Sequence, residues 1–373
     1  MMPKQARLAI NDGDITGSIR GFLRGLFERS AVGAIMAPRT LPSRDNVVQT
    51  LITDPEELTG VDLLAPVMPV NAARAVSRLT RIAPMDRPVA VVLRPCETRA
   101  LVELTKLKQA DLENLIIIGF DCYGAEHLRT YSQKRREGGG STEEFLKHVA
   151  SDVLHEDLRS ACRVCERPAP ETADLTIGIF GMDPSKELLL IAKSEKGEAL
   201  LEGLPPAEEG SEERRDTALA EIIGKREKAR DELFASIEGE ATGLEGLLAM
   251  LAPCINCHNC MTVCPICYCM QCFFDSDTFD LEGWKYVRRA TRKGAYRLLP
   301  DTLLFHLGRL NHMASSCVAC GACEDACPND IPLLALFKTV GHRVQEAFDY
   351  VAGRSLDEPL PLATFREDEL EPR

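Results

Sequence analysis

Eight cysteines of this chain fall in two runs of identical spacing. Cys254, Cys257, Cys260 and Cys264 follow C-x2-C-x2-C-x3-C-P, with Pro265 closing the run. Cys317, Cys320, Cys323 and Cys327 repeat it, closed by Pro328. This is the spacing with which bacterial proteins hold 4Fe–4S cubanes. A cubane presents four iron corners, each needing a thiolate. Three cysteines two residues apart let a tight loop cover three corners, and the fourth thiolate comes from elsewhere. Where two clusters sit side by side, the Cys-Pro cysteine serves the other one. The expected sets are therefore Cys254, Cys257, Cys260 with Cys327, and Cys317, Cys320, Cys323 with Cys264. Structural zinc instead uses paired C-x2-4-C hooks, often with histidine. Two complete runs, each with its proline, point to two iron–sulfur clusters.

Four more cysteines lie earlier in the chain, at Cys96, Cys122, Cys162 and Cys165. Cys96 follows the apolar run PVAVVLRP and Cys122 follows NLIIIGFD; ligands gather beyond the carboxyl ends of such strands. A single buried thiol is an ordinary core residue. The C-x2-C pair Cys162/Cys165, however, needs two further ligands to close a tetrahedral set, so the four together read as a third 4Fe–4S site. Cys267, Cys269 and Cys272 remain. They read either as a shell of thiols beside the clusters, or as ligands of a further metal centre or alternates for Cys264.

The elements that must position these residues divide the 373-residue chain, which is longer than one core usually serves. Over residues 1–204, short apolar runs alternate with helical patterns. Strands are expected at 32–38, 62–69, 88–95, 114–121, 175–181 and 187–194, which reads as an α/β domain with both sheet faces covered. Residues 205–242 are dense in charge after a Pro-Pro break and read as a solvated helical linker. Residues 243–345 form a mainly helical, ferredoxin-like domain carrying both runs. Its basic stretch, with Lys285, Arg288, Arg289, Arg292 and Lys293, reads as an offset to cluster charge, a partner-facing surface or a plain solvated face. Residues 346–373 read as an extended tail able to dock on another subunit. His306 and His312 are given no ligand role.

The formal net charge of −13 argues against a nucleic-acid surface. The first residues lack a signal peptide's apolar region, and no apolar run is long enough to span a bilayer. Fifteen cysteines at ligand spacings imply a reducing compartment, hence a cytoplasmic protein.

Several segments, ITGSIRGFLRGLFE, LRPCETRALVELTKLKQ, IIIGFDCYG, CRVCERPAPETADLTIGIFG and LLIAKSEKGEALLEGL, resemble the beta subunits of deazaflavin-dependent hydrogenases and formate dehydrogenases. Relatives include bacterial iron–sulfur subunits of heterodisulfide-reductase-type complexes. The resemblance implies that Cys96, Cys122, Cys162 and Cys165 hold a cluster between a flavin and the ferredoxin-like part. Flavin-binding members carry a double-glycine stretch at the first helix. Here Thr16, Gly17 and Ser18 stand instead, either as N–H donors to an FAD pyrophosphate or as a plain Thr or Ser helix cap.

The expected function is electron transfer within a multisubunit oxidoreductase, towards a formate dehydrogenase, hydrogenase or heterodisulfide-reductase-like partner. The alternative is an FAD-containing subunit acting on a diffusible carrier such as a deazaflavin coenzyme or ferredoxin. A sensor would need one labile centre rather than a row, and a disulfide reductase is disfavoured by the lack of any CCG tripeptide.

Overall fold

Val89–Leu93 and Leu115–Phe120 are buried at every position. A strand apolar on both faces must lie inside a sheet covered on both sides, and the computed structural model, which describes residues 4–298, 300–361 and 363, places both at the centre. The sheet has seven strands: β1 (Lys4–Ala9), β2 (Ala34–Thr40), β3 (Val47–Ile52), β4 (Val89–Leu93), β5 (Leu115–Phe120), β6 (Leu175–Gly178) and β7 (Glu187–Ala192). Their order is β1-β7-β6-β5-β4-β2-β3. β2, β4, β5 and β6 run parallel, while β3, β7 and β1 pair antiparallel to their neighbours.

The expected strand at 62–69 does not form. Pro66 and Pro69 remove ladder donors, and the Ala65 and Val67 carbonyls accept instead from the Arg94 guanidinium. The segment becomes a loop over the sheet end, fixed further by Glu126 N–H on the Pro66 carbonyl at 2.7 Å. β1 and β3, absent from the sequence expectation, are the two edges. Their exposed and charged positions (Lys4, Val48, Leu51) break the apolar run.

Alternation along the strands splits the interior in two. Ala90, Val92, Ile116 and Ile118 face helix α1 (Ile15–Glu28), which buries Ile15, Ile19, Leu23 and Leu26. Val89, Val91, Leu93, Leu115 and Ile117 face α2 (Ala73–Thr80) and α3 (Pro95–Lys106). This second core continues without a break into Phe305, Leu310, Leu336 and Phe337 of the helical region. The helical region thus completes one face of the sheet. Full burial of each such side chain is worth about 1.5–3 kcal/mol.

The charged stretch after Pro206 is helix α4 (Ser211–Glu240). It is bound to the sheet by two buried arginines. Arg215 grips Asp121, at the end of β5, through Nη2–Oδ1 at 2.5 Å and Nε–Oδ2 at 2.9 Å. Arg226 donates to the Tyr123 carbonyl. After α5 (Gly243–Leu251) come α6 (Thr302–Met313) and α7 (Leu333–Ala347). Of the tail expected from residue 346 onward, the first two residues finish α7. Tyr350 and Gly353 then return to α3, where the Gly353 N–H donates to Glu103 Oε1 at 2.8 Å and the Tyr350 hydroxyl to the same carboxylate. The acidic end, 364–373, lies outside the described residues. Among the described residues, no helix is long and apolar enough to cross a membrane.

Candidate iron–sulfur centres

The two cysteine runs fold into equivalent loops. Asn256 and His258 hold φ of 56° and 58°, and Ala319 and Gly321, at the same places in the second run, hold 53° and 70°. These left-handed residues curl the backbone inward, so that the Asn256 N–H reaches Cys254 Sγ at 3.4 Å. Cys254, Cys257 and Cys260 then line a small cavity with His306, Phe305 and Cys327. Cys317, Cys320 and Cys323 line a second with Arg309, Phe337 and Cys264. The last cysteine of each run therefore stands in the other run's cavity.

Cys96, Cys122, Cys162 and Cys165 come together beyond the carboxyl ends of β4 and β5. Cys96 sits in the first turn of α3, directly after β4; Cys122 follows β5; the short helix Ser160–Arg163 carries Cys162. Charge on Cys122 and Cys165 raises the Cys96 thiol, and charge on the same two raises that of Cys162. Gly124 makes this convergence possible. Its φ is +131°, and a Cβ there would lie 2.9 Å from Cys162 Cβ.

This third set abuts the second. Cys96 also senses Cys320, and both pack with Cys162 around Met68, Ala125 and Ala322. At the contact, Gly321 lies against Ala161, where a Cβ would approach Ala161 Cβ to 2.4 Å. Arg159 donates across it to the Cys320 carbonyl at 2.7 Å.

Burial governs the thiols. It pushes Cys260 up to about 11 and Cys317 to about 12. Cys96 and Cys323 are driven well above the ordinary thiol value, again chiefly by desolvation. Such thiols ionise only if positive charge arrives, as ligated iron would supply it. Among the described residues, no three His, Cys, Asp or Glu side chains close on a point as a single ion requires; the eight thiols of the two runs line cavities instead.

Buried arginines stand among these cysteines, and little in the sequence marks them. Arg309 on α6 is 3 % exposed, donates to the Cys260 carbonyl at 3.1 Å and lies 4.8 Å from the Phe337 ring. Its Nε and Nη1 have no partner. Arg94 donates to Cys122 Sγ at 3.2 Å, and Arg99 to the Val318 carbonyl at 2.7 Å. Such donors fit a set of negatively charged thiolates and sulfides. Arg94 had a faint signal, being a charge that ends an all-apolar strand beside a cysteine; Arg309 had none. His306 is likewise buried, with Nε2 3.4 Å from Cys254 Sγ. Burial, then Arg309 and His258, hold its imidazole down to about 4, hence neutral.

Cys267, Cys269 and Cys272 stand beside Cys264. Burial lifts the Cys267 thiol to about 12, Cys272 Sγ lies 3.5 Å from Met261 Sδ, and Cys269 is exposed. Thr16, Gly17 and Ser18 occupy the first turn of α1, whose cap is Asp14 rather than Thr or Ser. Its Oδ1 accepts from the Gly17 N–H at 2.7 Å, and Ser18 Oγ accepts from the Asn11 N–H. A separate, largely apolar cavity of about 220 Å³ opens beyond β2, β4 and β5. Val67, Met68, Phe120, Asn71, Arg94 and Glu97 are among its walls.

Residues 86–214 match the family model for the C terminus of the coenzyme F420 hydrogenase/dehydrogenase beta subunit. Residues 250–331 match a 4Fe–4S dicluster domain. The beta subunit of an F420-dependent formate dehydrogenase from Methanocaldococcus jannaschii is 25% identical over 385 residues, covering 92% of this chain and 93% of that protein. The F420-dependent formate dehydrogenase 1 subunit beta of Methanococcus maripaludis is also 25% identical, over 95% and 94% of the two chains. Among solved structures, a chain of the F420-reducing [NiFe] hydrogenase complex from Methanosarcina barkeri aligns with a TM-score of 0.46 at 15% identity, covering 66% of this chain and 94% of that one.

Proposed function

Because this chain belongs to the beta-subunit family of coenzyme F420 hydrogenases and dehydrogenases, we propose that it conducts electrons through three 4Fe–4S clusters in a row. Cys254, Cys257, Cys260 and Cys327 hold one cluster; Cys317, Cys320, Cys323 and Cys264 hold the next. Cys96, Cys122, Cys162 and Cys165 hold the third. When bound, the clusters supply one-electron transfer at potentials set by burial and N–H donors. The chain's own residues present the thiolates, exclude water and set Arg94, Arg159 and Arg309 against the added negative charge. The observation that carries the row is the contact of Gly321 with Ala161, which makes the third set a neighbour of the second. No general acid, base or nucleophile is needed. Both ends must then meet other redox centres, in a catalytic subunit acting on formate or hydrogen, or in a heterodisulfide-reductase-like partner.

A second reading places FAD in this chain, acting on a deazaflavin carrier or a ferredoxin. The apolar cavity beside Met68 and Arg94 favours it, since Met68 Sδ is 3.9 Å from Cys96 Sγ. That cavity suits a planar ring but is smaller than the roughly 300–1,000 Å³ of whole-ligand pockets. Gly17 and Ser18 share a pocket with Asp12 and Asp14, whose carboxylates repel a pyrophosphate.

Anaerobic purification with iron, sulfide and flavin analysis tests both. About twelve irons per chain without flavin supports the row. Iron near about eight removes the third cluster, and near about sixteen recruits Cys267, Cys269 and Cys272. Stoichiometric flavin, with turnover of a deazaflavin carrier by the single chain, establishes the second reading instead.

A further inference from the structure

The segment Gly283–Arg297 carries Lys285, Arg288, Arg289, Arg292, Lys293 and Arg297 and no acidic residue, in a chain of net charge −13. Its helix, Gly283–Lys293, buries none of its eleven residues. Lys285 pairs with Glu282. Among the described residues, Arg288, Arg289, Arg292 and Lys293 meet no carboxylate of this chain; Arg288 lies over the Trp284 ring at 5.1 Å and Arg289 donates to the Tyr296 hydroxyl. Trp284 and Val287 are 56 % and 66 % exposed. The helix buries no face, leaves its indole more than half open and carries cations that meet no carboxylate. It has the composition of a surface that another molecule covers.

Its position says what that molecule is for. Arg297, at the end of the segment, donates to the carbonyls of Ala252 and Cys254, at 2.7 and 3.2 Å. The basic surface is thus joined to the loop of the first cysteine set, the one farthest along the row from the sheet-end set. In that loop Cys257 is exposed and Ile255 is 54 % exposed, so the edge of the set reaches the protein surface beside the cations. Among the described residues, most exposed large hydrophobics lie between Leu244 and Leu307.

Resting on the electron-transfer reading above, we infer that this surface is the port of the row, and that its occupant is an acidic protein face bearing a redox centre. Charge complementarity carries the choice. Four cations that meet no carboxylate, gathered on one helix of an acidic chain, attract an acidic partner to that helix and turn it away from the rest, which is how steered association selects an orientation. Trp284, Val287 and Ile255 supply the apolar contacts that hold the docked pair. An anionic lipid surface would also attract the helix, but it offers the exposed edge at Cys257 no electron donor or acceptor.

The test uses the full chain with its clusters, held anaerobically, and a strongly acidic two-cluster bacterial ferredoxin as probe. The rate of electron exchange is followed by rapid mixing for the wild type and for Arg288→Glu/Arg292→Glu. Iron content is measured in parallel, as is reduction by dithionite. In the wild type the rate should fall steeply with salt, because the Debye length shrinks to about 10 Å at 0.1 M. At low salt the double variant should be slower by about tenfold or more, with dithionite reduction and iron content unchanged. Trp284→Ala should lower the saturating affinity while leaving the salt slope intact. Equal ferredoxin rates in wild type and double variant overturn the port while leaving the row standing. Cosedimentation with phosphatidylglycerol vesicles that the double variant abolishes, with ferredoxin rates unaffected, overturns it in favour of a membrane surface. Failure of dithionite to reduce wild-type clusters defeats the electron-transfer reading itself, and the port with it.

Discussion

Cys96, Cys122 and the Cys162/Cys165 pair come from three separate segments and meet because β4 and β5 are neighbours, with their carboxyl ends on one edge of the sheet. Eight further cysteines come in two runs whose loops depend on left-handed residues and on α6 and α7 packed behind them. The first set is located by the sheet and the second pair by local spacing. In both places buried arginines hold the neighbouring backbone: Arg94 at the sheet end, and Arg309 and Arg99 among the runs. The contrast teaches that fixing a site by topology makes it depend on distant residues, whereas fixing it by spacing makes it depend on its own loop.

The largest effect should come from a ligand. Cys264→Ser, on the crossed arrangement, should alter the electron paramagnetic spectrum of the cluster held by Cys317, Cys320 and Cys323 and cost up to about four irons. A change confined to the cluster of its own run would mean that each run closes on itself. Next comes the tether that the sheet-end set needs and the runs do not. Arg215→Met leaves the Asp121 carboxylate buried without its charge partner and should cost about 3–5 kcal/mol in urea unfolding. Cys122 is the next residue, so the sheet-end cluster should be lost before the others; loss of all clusters together would erase the distinction between the regions.

A smaller effect is expected where the regions touch. Gly321→Ala adds a Cβ against Ala161 in a left-handed backbone and should cost about 1–3 kcal/mol. Gly21→Ala, with nothing within 4 Å and no positive φ, should be neutral or stabilising by about 1 kcal/mol. Unfolding midpoints of the two variants give the comparison directly.

The smallest effect is electrostatic. His127, after β5, bonds Asp325 between the second-run cysteines, Nδ1 to Oδ1 at 2.9 Å, and that bond raises its pKa. A raised folded value means the contribution is complete below the unfolded value near about 6.5 and is lost as pH rises through the folded one. The ring is 44% exposed, so the effect should not exceed about 0.5 kcal/mol. The stability gap between wild type and His127→Asn should narrow as the solution is made alkaline; a gap that widens would contradict the sign.

The same contrast governs what the sequence disclosed. The runs are readable because ligand spacing is local, and the α/β character because buried parallel strands are continuously apolar. Cys96 and Cys122 are marked by their place at strand ends and by the C-x2-C pair, which demands two further thiols. Arg309 was not, since an arginine in LLFHLGRLNHM looks like any solvated helix residue; its burial comes from Phe337 and Phe305 closing over it. Arg215 and Arg226 were hidden in the same way, in a stretch whose charge reads as a free linker. The loop at 62–69 was mistaken for a strand because its apolar pattern outweighed its prolines, and the guanidinium that claims its carbonyls lies about thirty residues away.

The central claim, that the sheet-end thiols hold a cluster continuous with the other two, is tested most directly by Cys96→Ala in the anaerobically purified chain. Iron analysis and a redox titration followed by electron paramagnetic resonance should be run on variant and wild type together. The account predicts a fall from about twelve to about eight irons, with the signals of the two run clusters retained and any spin coupling to a third centre gone. Unchanged iron and an unchanged titration in the variant would show that Cys96, Cys122, Cys162 and Cys165 are core thiols and that the row ends at the second cluster.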